Sequence, residues 1–165
     1  MPQTLKDELK KRHGFSSPQQ EVYLGLSRTA TQAAAVLAGL LKPHGLSEAT
    51  YNILRILRGV DRFPVDGVRS LPCGEVAGRM VTRVPDVTRL MDRLEKDGLL
   101  TRARSEHDRR VVHARITPEG KALLRKLDRP VDKLERSMFP ALSDRELATL
   151  SRLLSKARRD QAASP

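Results

Sequence analysis

Cysteine and aromatic residues are scarce in this chain. Its 165 residues include one cysteine, Cys73, no tryptophan, and only 3% aromatic residues. A single cysteine cannot form a disulfide within the chain and leaves no Cys-x-x-Cys pair to hold zinc. We interpret Cys73 as a small packed residue rather than a redox switch, because no second cysteine accompanies it. An aliphatic core suits packed helices better than sheets, so we expect a mainly helical protein.

Membrane and export signals are also lacking. No run of about 18 apolar residues is present, so the sequence predicts no membrane span. The first residues, MPQTLKDELKKRHG, are charged throughout and lack the apolar centre of a signal peptide. We therefore expect a cytoplasmic protein with no membrane partner.

Catalytic and metal sites are not indicated either. The four histidines are scattered along the chain, at His13, His44, His107 and His113. No nucleophile elbow, phosphate-binding glycine loop or pair of carboxylates in an apolar setting is present. The sequence predicts no metal, no cofactor and no enzyme activity.

Positive charge is what the chain has in excess. Its 31 Lys and Arg against 20 Asp and Glu give a formal net charge of +11. Such a charge repels itself least when a polyanion is bound, which favours nucleic acid as the partner and predicts association with the nucleoid. One reading is a sequence-specific DNA-binding protein. The alternative is a general basic protein that binds RNA or the nucleoid, although few aromatics are available to stack on single strands.

Hydrophobic spacing and capping residues predict six helices. A long loop is expected between Arg58 and Pro72, marked by Pro64 and Gly67. The first helix begins near Ser17 with proline in its first turn. The expected ranges are 17–42, 47–59, 73–80, 85–98, 118 to about 138, and 143 onwards.

The middle of the chain predicts a helix-turn-helix. CGEVAGRM forms a short helix, VTRV a turn, and PDVTRLMDRLEKDG a second helix that Gly98 ends. Val87, Leu90, Met91 and Leu94 share the inward face, so an Arg- and Thr-bearing face points outward. Such a face suits the major groove of DNA, but it is equally compatible with an ordinary solvated surface.

A β-hairpin is predicted directly after that helix. LLTRAR and VVHARIT alternate as strands, and the charged tip SEHDRR joins them. Helix-turn-helix followed by hairpin is the order of a winged helix. In that arrangement the tip lies beside the minor groove, where arginine is attracted to the concentrated negative potential.

The stretch EVAGRMVTRVPDVTRLMDRLEKDGLLTRARSEHDRRVVHARITPEGKALL resembles the core of the multiple antibiotic resistance regulator (MarR) family. The motifs that carry the resemblance are VTRLMDRLEKDGLL, the wing DRR and the junction ITPEGKALL. It implies a winged helix-turn-helix fold with a helical dimerisation domain. It also implies a homodimer that binds a pseudo-palindromic double-stranded DNA operator, usually as a repressor released by a small ligand or by oxidation.

The resemblance also implies residue roles. Arg110 holds the place of the wing arginine at the minor groove, with Arg109 as a second contact and Asp108 as the carboxylate that orients an arginine. Arg93 lies one turn beyond Arg89 on the same side of the helix, as a further DNA contact. The alternative for Arg93 is an ion pair with Asp97 within the helix. The remaining implied DNA-binding residues are Arg83, Pro85, Asp86, Thr88 and Arg89.

The two ends of the chain predict the dimer. Thr117 is expected to cap a helix that Pro130 bends, and Ser143 with Glu146 to form a capping box for the last helix. The expected seams are Leu124, Leu127, Val131, Leu134 and Met138, then Leu147, Leu150, Leu153 and Leu154. The predicted domains are 1–45 with 118–165 for dimerisation and 46–117 for DNA binding. The alternative is a bundle within one chain.

A ligand pocket has no clear signature in the sequence. Arg28, His44 and Tyr51 are the candidate lining residues for a small aromatic acid as inducer. Two features depart from the family: the loop 59–72 is long, and Cys73 is not at the start of the first helix, where the family's peroxide sensors keep their cysteine. We therefore do not expect oxidation sensing.

Overall fold

The computed structural model describes residues 4–64, 67–105, 108 and 110–161. By their contacts the residues group into two compact units that divide between Arg129 and Pro130, and each is described by itself. The helices are α1 (Leu5–Glu8), α2 (Pro18–Leu41), α3 (Glu48–Arg62), α4 (Cys73–Gly78), α5 (Val87–Lys96), α6 (Pro118–Ser137) and α7 (Asp144–Gln161). The strands are β1 (Leu71–Pro72), β2 (Leu100–Arg104) and β3 (Val112–Ile116).

The winged-helix core lies in the first unit, and its fold class is as predicted apart from the sheet. The sequence predicted a hairpin of β2 and β3, which pair antiparallel from Leu100 with Ile116 to Arg104 with Val112. The structure adds β1 on the other side of β3, where Leu71 pairs with Ala114. The sheet therefore has three strands in the order β1-β3-β2, and the hairpin prediction was incomplete.

The helices begin and end near the predicted residues, with a few differences. The side chain of Ser47 accepts a hydrogen bond from the backbone of Thr50, as expected for the start of α3. That helix continues past Gly59 to Arg62, because Val60 is buried in the core, so the loop is shorter than predicted. Helix α5 begins at Val87 rather than Pro85. The short helix α1 was not predicted, and Lys42–His44 form a 3-10 turn after α2.

Helix α3 is the centre of the core. Its inward face buries Tyr51, Ile53, Leu54, Leu57 and Val60, and the other elements of the core supply aliphatic side chains around it. Burial of aliphatic side chains provides most of the stabilising free energy of such a domain. The core residues from the other elements of this unit are Leu41, Leu46, Leu71, Val76, Met91, Leu94, Leu100, Ala114, Ile116, Leu124 and Leu127.

The predicted dimer seam on α6 is mostly covered within one chain. Leu124, Leu127 and Val131 are buried, so for them the alternative of packing within the chain is correct. Exposed apolar side chains lie instead on α2 and α7, where Tyr23 is 68% and Leu153 50% exposed. Of the predicted capping box of α7, the structure contains the half in which the Ser143 amide donates to the Glu146 carboxylate at 2.9 Å. The hydrogen bond from the Ser143 hydroxyl, and after it the one from the amide, lower the pKa of Glu146.

Candidate nucleic-acid interface

Helix α5 is fixed at both ends by local hydrogen bonds. At its start the carboxylate of Asp86 accepts from the backbone amide of Arg89 at 3.0 Å. At its end Gly98 takes a left-handed conformation with φ of 72°, and the amide of Leu99 donates to the carbonyl of Leu94 at 2.9 Å. Asp86 is therefore the N-cap of the helix, a role that the sequence prediction had not given it.

The predicted outward face of α5 is exposed. Met91 and Leu94 are buried against the core, while Thr88 and Arg89 point to solvent. Within the described part of the chain the guanidinium of Arg89 makes no hydrogen bond or ion pair. Arg83 and Pro85 are exposed in the turn before the helix. That turn is held by Asn52, whose side-chain oxygen accepts from the amide of Val81 at 2.9 Å.

Arg93 is partly occupied by contacts within the protein. Its guanidinium donates to the carbonyl of Gly45 at 3.1 Å and lies 3.8 Å from the carboxylate of Asp97. The ion pair that the sequence left as an alternative is therefore present, although it is long and exposed. Such a pair contributes little stability, so Arg93 can exchange it for a phosphate.

Arg102 joins α5 to the wing, and sequence reasoning missed it. Its guanidinium contacts Asp92 at 2.6 Å and Glu95 at 2.7 Å, and its amide donates to Glu95 at 2.9 Å. The hydrogen bond to Glu95 is the main reason why the pKa of Arg102 is raised. The tight turn at Gly98 brings Glu95 and Arg102 together, a signal that was available in the segment EKDGLLTR.

The wing tip presents Arg110 to solvent. The side chain of Arg110 is 92% exposed. The carboxylate of Asp108 accepts from the Arg110 amide at 3.0 Å and lies 3.3 Å from its Nε atom, so the structure brings these two residues together. The tip is closed by the Ser105 amide, which donates to the carbonyl of Val111 at 2.9 Å. Arg109 lies outside the described residues.

The three candidate pocket residues do not line one common cavity within a single chain. Arg28 pairs with Glu8 at 2.7 Å, and His44 is exposed in the 3-10 turn. Thirteen helical residues separate Arg28 from the end of α2, roughly 20 Å along its axis, so Arg28 and His44 of one chain cannot touch the same small ligand. Tyr51 is buried, and its hydroxyl accepts from Arg55 at 2.9 Å.

A reactive thiol, a metal site and a membrane span are the remaining candidates among the described residues. Burial raises the pKa of the Cys73 thiol, which makes the thiolate scarcer at neutral pH. Across residues 4–161, apart from those not described, no group of three His, Cys, Asp or Glu side chains is placed to hold a metal ion. None of the described helices is long and apolar enough to cross a membrane.

Comparison with known proteins gives a consistent result. The model of the MarR family matches residues 46–112. The HTH-type transcriptional regulator YpoP of Bacillus subtilis is 33% identical over 67% of this chain and 73% of its own length. The regulator YsmB of the same organism is 32% identical, over 50% of this chain and 57% of its own. The homoprotocatechuate degradative operon repressor of Escherichia coli is 25% identical over 79% of this chain and 83% of its own.

Solved structures agree with these relatives. The MarR transcription factor of Planctomyces limnophilus is 36% identical, covers 86% of this chain and 98% of its own, and has a TM-score of 0.64. A MarR mutant of E. coli complexed with operator DNA is 23% identical, over 86% of this chain and 99% of its own, with a TM-score of 0.72. The DNA binding of Bordetella bronchiseptica BpsR is regulated by 6-hydroxynicotinic acid. BpsR is 23% identical, over 84% of this chain and 98% of its own, with a TM-score of 0.71.

Proposed function

The chain belongs to the MarR family of transcriptional regulators, and from that premise we propose that it is a homodimeric repressor that binds a pseudo-palindromic DNA operator. Helix α5 enters the major groove and the wing tip reaches the minor groove. The observation that carries the proposal is the exposed face of α5 joined through one short strand to the exposed arginine of the wing. Because a regulator of this kind acts on the chromosome, the proposal includes a location in the cytoplasm, in association with the nucleoid.

The exposed apolar surface supports the dimer. In α2 only Leu41 is buried, and apolar side chains of α2 and α7 remain open in the single chain. A second copy that covers these helices removes this surface from water. The proposal places the dimer contact on the exposed apolar side chains within residues 1–45 and 118–165, and the DNA contact within residues 46–117. Because Leu124 and Leu127 are buried within the chain, α6 can contribute only its other side chains to the dimer contact.

The proposed function predicts strong preference for one palindrome. Duplexes selected by the protein from a randomised library should contain two related half-sites about one helical turn apart. At equal salt the selected duplex should bind about a thousandfold tighter than random duplex. The mass of the complex should correspond to two chains of 18.5 kDa on one duplex. Equal affinity for selected and random duplex would favour the general polyanion binder and overturn the proposal.

An inducer belongs to the same proposal. BpsR supplies the precedent for regulation by a small aromatic acid, and the buried ring of Tyr51 beside Arg55 supplies an aromatic and a cation in this chain. Adding 6-hydroxynicotinic acid and related aromatic acids to the operator titration tests it. Release of the duplex by one of them supports an inducer, and unchanged binding with all of them contradicts it.

Arg89 tests the assignment of α5 as the recognition helix. Changing Arg89 to alanine should weaken operator binding by about 1 to 3 kcal/mol per half-site and relax the preference at one position, if its guanidinium pairs with a base edge. If it contacts phosphate, all duplexes should weaken alike and the salt slope should fall by about 1 per contact. Arg145, exposed on α7, gives the matched control. Unchanged titration for Arg89→Ala would contradict its place at the DNA.

A further inference from the structure

Asp61 is a buried acid at the end of α3 that the DNA interface does not use. It is 8% exposed, and the chain after it folds back onto it. The guanidinium of Arg69 donates to the main-chain carbonyl of Asp61 at 2.7 Å. The shortened loop between α3 and β1 is therefore tied to the end of the helix that it leaves.

Two further cations meet the carboxylate of Asp61. The ammonium of Lys121 donates to Oδ2 at 2.8 Å, and the guanidinium of Arg115 lies 3.6 Å from Oδ1. The hydrogen bond from Lys121 is the main reason why the pKa of Asp61 is lowered. Oδ1 is buried and accepts no hydrogen bond within the described residues, so Arg115 is held there by charge rather than by a tight contact.

The three cations come from three different parts of the winged-helix core. Lys121 lies in the first turn of α6, Arg115 in wing strand β3, and Arg69 in the segment that leads to β1. Arg115 pairs across the sheet with Thr101 of β2, the strand that follows α5. One carboxylate therefore connects the end of α3, the wing sheet and the start of α6. Of this group only Asp61 is buried, whereas the side chains of Lys121 and Arg115 are 30% and 54% exposed. Losing a cation would therefore leave the buried carboxylate with less compensation, and losing the carboxylate would release the segments that the cations belong to.

We propose that Asp61 is a positioning residue for operator recognition, whose carboxylate fixes the wing sheet and the first turn of α6 at one angle to α3. The inference rests on the proposed dimeric function. In a dimer that reads a palindrome, the distance between the two recognition helices must match the half-site spacing of about 34 Å. A recognition element that is loose by about 1 Å binds less selectively, because its supporting contacts set its geometry.

The test uses full-length protein and the duplex selected by the wild type, with one to five base pairs inserted between its half-sites. Asp61→Asn removes the charge and keeps the shape, and Asp61→Asn with Lys121→Met also removes the cation that would be left unpaired. Asp132→Asn is the matched control, because it breaks an exposed pair with Arg136 within one helix. Thermal unfolding is measured for each variant.

For the wild type we expect each change of spacing to weaken binding at least about tenfold. For the double variant we expect stability close to that of the wild type, weaker binding to the original spacing, and a spacing preference reduced to about twofold. Affinity for random duplex and the behaviour of Asp132→Asn should not change. A double variant that weakens on all duplexes by one factor, or keeps the steep spacing preference, overturns the inference. A wild type without any spacing preference overturns the proposed function instead.

Discussion

Replacing Arg110 with alanine will weaken operator binding at least a hundredfold and leave the dimer intact. The side chain is 92% exposed at the wing tip, so its loss removes no core contact. An arginine paired with a base edge contributes about 1 to 3 kcal/mol, and we take the same range for an arginine inserted in the minor groove. Because each dimer has two wings, one substitution removes two such contacts, or about 2 to 6 kcal/mol. A hundredfold loss corresponds to about 2.7 kcal/mol, near the lower end of that range.

Titration of the selected duplex at several salt concentrations, together with sedimentation of the free protein, checks this result. If the arginine lies in the minor groove, the salt slope should fall and the preference for A·T pairs at the flanks should weaken. Arg145→Ala removes the same charge from α7 and should bind within about twofold of wild type. A variant of Arg110 with wild-type affinity would remove the wing from the interface.

Asp108 is the residue that restrains Arg110 at the wing tip. Its carboxylate accepts from the Arg110 amide and lies 3.3 Å from Nε, so it restrains the arginine without reaching toward DNA. A carboxylate beside phosphate would repel it, hence its contribution must come from holding Arg110. The contact agrees with the role that the resemblance of the wing motif DRR implies for Asp108.

Periodicity predicted the elements that carry the interface. The spacing of Met91 and Leu94 gave the buried face of α5, and Gly98 gave its end, because a helix-ending glycine adopts a left-handed conformation. The start was predicted two residues too early, at Pro85. The side chain of Asp86 caps the helix instead. In the sequence, a proline just before the cap is hard to distinguish from a proline in the first helical turn.

Very short strands and contacts between residues far apart in the sequence could not be predicted from periodicity. Strand β1 has two residues, too few for any alternation, and exists only because β3 offers an edge to pair with. Gly59 read as the end of α3, but burial of Val60 carries the helix on. The contact of Asp61 with Lys121 joins residues sixty positions apart, and nothing in the local pattern of either residue points to the other.

The dimer seam shows how a correct pattern can have a different partner. Leu124 and Leu127 repeat at helical spacing, as a seam between subunits would. The same repeat is satisfied by the core of one chain, which buries both. Periodicity reports that a face is covered, and only the structure says by what.

Gly120 is the position where a single methyl group should cost most. It lies in the first turn of α6, and a Cβ atom there would overlap the carbonyl oxygen of Leu99 and come within 2.9 Å of the Ile116 side chain. The carbonyl of Leu99 cannot move aside easily, because it accepts from the amide of Thr117 at 3.2 Å. The Thr117 hydroxyl donates to the carbonyl of Gly98 at 2.8 Å and fixes the same backbone.

Gly120→Ala should therefore lower the free energy of unfolding by about 3 kcal/mol or more. For a chain of this size that corresponds to a fall in Tm of about 6 to 12 °C, measured by calorimetry or circular dichroism. Helix propensity alone predicts the opposite sign, a gain of about 0.5 to 1 kcal/mol. Gly59→Ala isolates that propensity, because no atom lies within 4 Å of a Cβ built on Gly59, and it should raise Tm slightly. Equal shifts for the two variants would mean that α6 does not approach the turn after α5 this closely. The recognition helix would then lack the support that this contact gives to its C-terminal end.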